Sequence, residues 1–268
     1  FFAAGDEIFG KTFSKEEGLG PLFIHNSCAG CHVADGKGHP SGTVIRFGKT
    51  RPIGFDYMKN LGGPQLQDRA LPGFEPENLP SEPHFSSKRL APGVTGLGYI
   101  AAIHDSSILA NEDPTDQDQN GISGKIAWIQ PDDFFVPLDI HYSTNSKYIG
   151  RFGKKATKVS LLEQTVFALK NDIGITSDFD MEDIFNPASG INTSDGIADP
   201  ELPAAMVQNL VFYLRTLKVP PRRNENEGEV LEGEKLFAKI GCVSCHIPSF
   251  KTAKSDIVEL SEKTIFPY

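Results

Sequence analysis

The chain contains four cysteines, and they form two copies of one short motif. In each copy two residues separate the cysteines and a histidine follows the second: Cys28, Cys31 and His32 in the first copy, and Cys242, Cys245 and His246 in the second. Cysteine pairs with this spacing occur in redox disulfides, in thiolate zinc sites and at sites of covalent haem attachment. The histidine that follows both cysteine pairs is the observation that distinguishes between these three kinds of site.

Covalent haem attachment uses every residue of the motif. The two thiols add to the two vinyl groups of one porphyrin, and the following histidine binds the iron as its proximal ligand. A redox disulfide requires no histidine and is typical of a strand-then-helix context that is missing around Cys28. Joining both pairs in one zinc site would leave the histidines without a role. We therefore predict two covalently bound haem c groups, with His32 and His246 on the two irons.

Charge and hydropathy restrict the partners and the location of the protein. A formal charge of −9, from 26 Lys and Arg against 35 Asp and Glu, argues against a nucleic acid as partner. No apolar run is long enough to predict a transmembrane segment, and the first residues lack the features of a signal peptide. Because haem attachment of this kind is normally completed outside the cytoplasm, we expect a periplasmic or extracellular protein in a mature or trimmed form.

A similar segment precedes each motif. Gly5 and Phe9 stand four residues apart before the first copy, and Gly233 and Phe237 do so before the second, so each pair shares one helical face. These segments resemble the N-terminal helix of small class I cytochromes c. The resemblance implies that the glycine lets a closing helix cross at short distance and that the aromatic ring packs against that helix.

A closing helix for the first copy is predicted upstream of Pro220. Asp199 is suited to cap this helix and Pro200 to occupy its first position. Apolar residues then recur at helical spacing: Val207, Leu210, Leu214 and Leu217. An ordinary amphipathic surface helix would show the same pattern, so that alternative stays open.

These elements predict a mainly α-helical protein with long ordered loops and two tandem class I cytochrome c-like domains. The enlarged first domain would cover residues 1–221 and hold the first haem, and a second domain with the second haem would cover 222–268. No closing helix is predicted after His246, so we expect the second domain to be incomplete. The segment from Gly36 to Pro92 is rich in Gly and Pro and predicts long ordered loops with short strands or turns.

An acidic loop in the middle of the chain fits the opening of a calcium-binding loop. Oxygen ligands would come from the side chains of Asp116, Asp118 and Asn120 and from the carbonyl of Ile122. The twelfth position is Ala127, which has no carboxylate, so the loop is not a complete EF-hand. We predict a calcium ion here, and an acidic turn held by Asx hydrogen bonds is the alternative.

The chain as a whole resembles the bacterial di-haem oxidoreductases described as peroxidases or thiol oxidoreductases, which are related to di-haem cytochrome c peroxidases. The matching stretches include 18–23 with the first motif, 96–98, 113–124, 150–153 and 172–176 with Gln164. The resemblance implies that the haem on His246 takes electrons from a small carrier, a cytochrome c or cupredoxin. The haem on His32 would then pass them to peroxide or another oxidant.

The same resemblance implies that Gln164 and Asp172 are catalytic residues at the first haem. The chain departs from the family pattern at Gly174, where di-haem peroxidases have a Glu ten residues after the Gln, and Asp172 is the nearest carboxylate. It departs again at Lys154, where the family has an aromatic residue after Arg-Phe-Gly.

A non-catalytic di-haem electron-transfer cytochrome is the alternative to a peroxidase. The two differ in the iron coordination, since peroxide needs an open position whereas an electron carrier has both axial positions filled. The sequence leaves the sixth ligand open among these residues: Met58, Met181, Met206, His25, His39, His84, His104, His141 and Tyr148.

Overall fold

The computed structural model consists of short helices and short strands joined by long ordered segments. It describes residues 1–36, 38–40, 42–190 and 193–267; residues 37, 41, 191, 192 and 268 lie outside this description. Helices account for 29% of the structure and strands for 16%, and the strands form several small sheets. The predicted fold class, a mainly α-helical protein of tandem class I cytochrome c-like domains, is therefore wrong.

The α-helices are mostly only one to three turns long. They are α1 Phe2–Gly10, α2 Cys28–Cys31, α3 Leu97–Ala101, α4 Asp105–Leu109, α5 Leu161–Ala168, α6 Ala204–Thr216 and α7 Gly228–Lys239. One π-helical turn, Leu169–Ile173, follows α5 directly. No helix of the described residues has the length and hydropathy needed to cross a bilayer.

The strands pair in four small antiparallel sheets. They are β1 Leu22–Phe23, β2 Thr43–Thr50, β3 Phe55–Asp56, β4 Arg69–Ala70, β5 Phe85–Leu90, β6 Trp128–Ile129, β7 Ser143–Thr144, β8 Lys147–Ile149, β9 Phe250–Lys251 and β10 Thr264–Ile265. Two sheets have three strands, in the orders β3-β2-β5 and β6-β8-β7, and two are the pairs β1-β4 and β9-β10.

The largest sheet occupies the segment for which the sequence predicted loops with short strands. β2 pairs with β5 over a register that runs from Thr43 opposite Leu90 to Gly48 opposite Phe85. β-branched and aromatic residues favour this extended backbone. Phe47 of β2 packs with Met58 and Leu66 in a buried cluster, so one face of the sheet carries a small core. This pairing joins residues far apart in the chain. Together with the other small sheets, it is the strand structure that contradicts the mainly helical prediction.

The chain divides into two compact units whose bounds differ from the predicted domains. The first unit comprises residues 1–94 and 162–214, and the second comprises 95–161 and 215–268. The first motif and Asp172 belong to the first unit, and the second motif belongs to the second. The predicted domain bounds, 1–221 and 222–268, stay a prediction.

In the first unit α1 and α6 cross at short distance at Gly5. A Cβ placed on Gly5 would lie 2.3 Å from the carbonyl oxygen of Asn209 and 2.5 Å from Cβ of Tyr213. The ring of Phe9 lies 5.4 Å from that of Tyr213. The helix crossing that the resemblance implied is therefore present. Glycine is required at position 5, because the Cβ of any other residue would clash with α6.

The start of α6 differs from the prediction. The helix begins at Ala204, whose backbone N–H donates to Oδ2 of Asp178 at 2.6 Å. Asp199 instead accepts a hydrogen bond from the Thr176 hydroxyl, so it does not cap α6. The helix ends at Thr216, one residue before Leu217, the last position of the predicted apolar pattern.

A buried ion pair organises the second unit. The guanidinium of Arg151 pairs with the Asp105 carboxylate, and both side chains are 1% exposed. Nη1 of Arg151 also donates to the carbonyl oxygens of Ala101 and Ile103, at 3.0 and 2.6 Å. Removing one partner from such a pair would leave an uncompensated buried charge. The Arg-Phe-Gly stretch that the sequence singled out therefore has a structural role in this unit.

Candidate functional site

The first cysteine motif is a single helical turn. Ser27 caps α2 by accepting a hydrogen bond from the backbone N–H of Gly30 at 3.1 Å. The backbone N–H of His32 donates to the carbonyl of Cys28 at 2.9 Å and closes the turn. Because the two thiols are three residues apart on this turn, they can reach one planar ligand.

The second motif repeats this turn in the other unit. Gly241, with a positive φ of 88°, leads into the short 3-10 helix Cys242–Ser244. The backbone N–H of His246 donates to the carbonyl of Cys242 at 2.9 Å, the distance found in the first copy. The recurrence of the same histidine-to-cysteine backbone hydrogen bond in two separate units supports one chemical role for both motifs.

An aromatic ring from the preceding helix contacts the histidine of each motif. The rings of Phe9 and His32 have centroids 6.0 Å apart, and those of Phe237 and His246 have centroids 5.6 Å apart. The sequence analysis singled out both phenylalanines as packing residues but did not predict this contact. Each ring therefore helps to fix the orientation of an imidazole as well as the helix that carries it.

His25 lies against the first motif and was singled out only as one of several candidate ligands. A Cβ placed on Gly30 would fall 1.9 Å from Cε1 of the His25 ring, so glycine is required between the two cysteines. Nδ1 of His25 and Nδ1 of His32 are both buried and have no hydrogen-bond partner within the described residues. Burial lowers the pKa of both imidazoles, which keeps them neutral, as a metal ligand has to be.

The two thiols of the first motif are held in the protonated form. Burial raises the pKa of Cys28 to about 12, and the neighbouring Asp172 carboxyl adds to the shift. Burial and Asp172 also raise the pKa of Cys31. A zinc site needs thiolates, whereas addition to a vinyl group consumes a thiol. The protonated thiols therefore fit addition to haem vinyl groups better than they fit zinc binding, whereas a neutral His32 suits either metal.

Asp172 lies beside this motif within a hydrogen-bonded network. Its Oδ1 accepts from Nε2 of Gln65 at 2.6 Å, and Oε1 of Gln65 in turn accepts from Nη1 of Arg46 at 2.9 Å. The Asp172 carbonyl accepts from the backbone N–H of His25 at 3.0 Å. Burial raises the pKa of Asp172 to about 6, although the Gln65 hydrogen bond opposes the shift. The carboxyl can therefore take up and release a proton near neutral pH.

A second buried carboxyl continues the network. Nε2 of Gln67 donates to the carbonyl of Asn171 at 3.1 Å, and the backbone N–H of Gln67 donates to Oε2 of Glu77 at 2.8 Å. Burial raises the pKa of Glu77 to about 8. Sequence reasoning missed Gln65, Gln67 and Glu77, because these residues lie about a hundred positions from Asp172 and no local spacing marks them.

Gln164, the other predicted catalytic residue, lies on α5, eight residues before Asp172. Its side chain is partly buried and makes no hydrogen bond within the described residues. The structure therefore brings Asp172, and not Gln164, into contact with the network at the first motif. The catalytic assignment of both residues stays a prediction.

Several candidate sixth ligands already have other partners. Nδ1 of His104 accepts from the backbone N–H of Ser106 at 3.1 Å, and Nδ1 of His141 accepts from that of Leu138 at 3.1 Å. Met58 is 1% exposed within the core beneath β2. These observations favour structural roles for the three residues, and the choice of sixth ligand stays open.

The acidic loop brings three carboxylates together, two of which belong to the predicted ligand set. One carboxylate oxygen each from Asp113, Asp116 and Asp118 lie within 4.8 Å of one another. Asn120 instead donates through Nδ2 to Asp118 at 2.8 Å and accepts at Oδ1 from the Ile122 N–H at 2.8 Å. The loop thus combines an acidic cluster with Asx hydrogen bonds, and both interpretations of it remain.

Comparison with known proteins identifies the family of this chain. A family model described as "Di-haem oxidoreductase, putative peroxidase" matches residues 80–268. The chain therefore belongs to this family, as the resemblance implied. Membership indicates a di-haem oxidoreductase with haem cofactors, and the family description points to peroxidase activity. Searches of curated proteins and of solved structures found no match.

Proposed function

We propose that this protein is a periplasmic or extracellular di-haem c-type peroxidase. Electrons would enter from a small redox protein, a cytochrome c or cupredoxin, at the haem held by His246. They would leave to hydrogen peroxide, or another small oxidant, at the haem held by His32. The observation that supports this direction is the largely buried Asp172 carboxyl beside the first motif, whose pKa of about 6 suits proton transfer.

Haem attachment in this proposal uses the four cysteine thiols. Each S–H bond would add across one vinyl group, so that a C–S bond would form and the hydrogen would pass to the adjacent vinyl carbon. The addition needs no oxidant. The protonated state of Cys28 and Cys31 supports it at the first motif, and the matching histidine-to-cysteine backbone hydrogen bond supports the same chemistry at Cys242 and Cys245.

A haem group held by Cys28, Cys31 and His32 would supply single-electron transfer for the reduction of peroxide. Reduction of one hydrogen peroxide consumes two electrons and two protons and yields two water molecules. Asp172 would accept a proton from one peroxide oxygen and return it to the other. Gln65 holds the Asp172 carboxyl in place through the 2.6 Å hydrogen bond, and Gln164 would donate a hydrogen bond to the substrate.

A calcium ion at the acidic loop is part of the proposal. Three carboxylates would bind it: Asp113 in addition to the predicted Asp116 and Asp118, with further oxygens from Asn120 and the Ile122 carbonyl. The close approach of the three carboxylates supports such a site, because carboxylate oxygens are the ligands that Ca²⁺ prefers.

Transient kinetics of the full chain test the proposed activity. Peroxide is mixed with the half-reduced protein, and the absorption spectrum is followed together with oxidation of the carrier. We expect a spectral change within the mixing experiment and a high-spin, five-coordinate component in the resting protein. Two six-coordinate irons with no response to peroxide would instead identify an electron-transfer cytochrome.

A further inference from the structure

Three carboxylates of the first unit form a cluster that lies outside the cysteine motifs and the acidic loop. One oxygen each from Asp183, Asp195 and Glu201 lie within 4.8 Å of one another. Asp195 is only 7% exposed, and the other two residues are partly buried. The spacing of these residues matches no metal-binding motif, so the sequence alone does not indicate the cluster.

Each of these carboxylates is fixed by a backbone N–H through one oxygen. The Thr176 N–H donates to Oε2 of Glu201 at 2.5 Å, the Asp195 N–H donates to Oδ2 of Asp183 at 3.2 Å, and the Ile197 N–H donates to Oδ1 of Asp195 at 2.7 Å. The Glu201 side chain also covers Gly18, where an added Cβ would lie 2.4 Å from Cγ of Glu201. The carboxylates are therefore held in place before any ligand binds.

The second oxygen of each carboxylate has no partner. Oδ1 of Asp183, Oδ2 of Asp195 and Oε1 of Glu201 are buried and accept no hydrogen bond within the described residues. Buried polar atoms are nearly always paired, and a buried charge without a partner is strongly unfavourable. Three such atoms in one cluster indicate that a cation belongs there.

The coulombic interactions that raise the pKa values within the cluster come from neighbouring carboxylates. Within the described part of the chain, no ion pair joins these carboxylates to a lysine or arginine. Burial raises the pKa of Glu201 to about 7 and also raises that of Asp183, and in both cases Asp195 and Asp199 add to the shift. A divalent ion would remove this repulsion, because it favours the charged form of each carboxylate.

We propose that Asp183, Asp195 and Glu201 bind a calcium ion. The donors are all oxygens, which excludes ions that prefer sulfur or nitrogen. Oxygens at about 2.3–2.6 Å from one Ca²⁺ lie at most about 5 Å apart, and the three carboxylates meet this limit. Backbone carbonyls or water would complete the shell. The ion would join the segment of Asp183 and Asp195 to Glu201, three residues before α6.

Calcium titration of the chelator-treated full-length protein tests this site, with the acidic loop disabled by Asp116→Asn so that only one candidate site remains. Isothermal titration calorimetry of that variant should give one Ca²⁺ per chain. Adding Asp195→Asn should abolish the binding or weaken it at least tenfold. Unchanged binding in the double variant, or no binding in Asp116→Asn, would overturn the proposal. A tenfold excess of Mg²⁺ should not displace Ca²⁺; if it does, the site is not a calcium site.

Thermal unfolding separates ion binding from a purely structural role of Asp195. In chelator, Asp195→Asn should be at least as stable as the parent, because the substitution removes repulsion. With Ca²⁺ the order should reverse when both proteins also carry Asp116→Asn, since the acidic loop is then disabled and only the protein that keeps Asp195 gains stability from the ion. An equal loss of stability in both conditions would contradict the proposal. Neither measurement involves peroxide, so its result is independent of the proposed enzymatic activity.

Discussion

A carboxyl group beside two thiols defines the chemistry available at the first motif. Spacing alone singled out Cys28, Cys31 and His32 as candidate haem-binding residues. These residues follow one another on a single turn, and that turn sets their relative positions. Spacing could not identify Gln65, which is 107 residues from Asp172 and approaches it only through the fold. The proposed proton-handling part of the site is thus set by tertiary contacts, whereas the proposed haem-binding part is set by local sequence.

Replacing Asp172 by Asn should lower peroxide turnover by about 10²–10⁴-fold, the usual contribution of a general acid–base group. Because the carboxylate has to accept the first proton, kcat/KM of the parent should fall as the pH drops through about 6, where the group becomes protonated. The variant should lack this dependence. Steady-state assays between pH 5 and 8 measure both effects.

The control is Asp68→Asn, at an exposed carboxylate of the same unit, and this variant should behave like the parent. A pH profile of Asp172→Asn that matches the parent's would exclude the proposed role of Asp172.

At the scale of elements, helical periodicity located α1, α6 and α7 to within a few residues but not the sheets. The Gly and Pro content of the region of β2 to β5 predicted loops with short strands or turns, whereas the eight-residue strand Thr43–Thr50 pairs with a strand about forty residues on. Such long-range pairing leaves no periodic signal, and this is why the predicted mainly helical fold failed. The start of α6 was misplaced for a related reason, since its cap comes from Asp178 rather than from the adjacent sequence.

The two lead-in helices provide a matched pair of glycines. Gly5→Ala places a Cβ 2.3 Å from the Asn209 carbonyl oxygen, so we expect the free energy of unfolding to fall by about 1–3 kcal/mol from overpacking. At Gly233 no described atom lies within 4 Å of the added Cβ. Gly233→Ala should therefore raise stability by about 0.5–1 kcal/mol, the helix propensity difference. Urea unfolding measures both, and equal effects at the two positions would contradict the crossing of α1 and α6.

The acidic loop makes a separate prediction at this scale. Asp113, Asp116 and Asp118 repel one another unless an ion is bound, so calcium should raise the melting temperature of the parent. Asp118→Asn should weaken that response by removing one ligand and one charge. Differential scanning calorimetry with calcium and with chelator measures the effect. In an Asp195→Asn background, which lacks the other proposed calcium site, a loop held only by its Asx hydrogen bonds would give the same melting temperature in both conditions.

At the scale of the whole molecule, the formal charge of −9 bears on the choice of electron donor. Charge of this size steers basic partners into encounter and repels acidic ones, with rate effects of about 10–10³-fold. The steering is screened within about 10 Å at 0.1 M salt. We therefore expect kcat/KM for a basic small cytochrome c to fall steeply as ionic strength rises from 10 to 200 mM. With an acidic cupredoxin as donor, the same increase in salt should raise kcat/KM. Turnover with the basic donor that is independent of salt would contradict this prediction. It would show that net charge does not control the encounter, so that shape complementarity rather than charge would determine the donor.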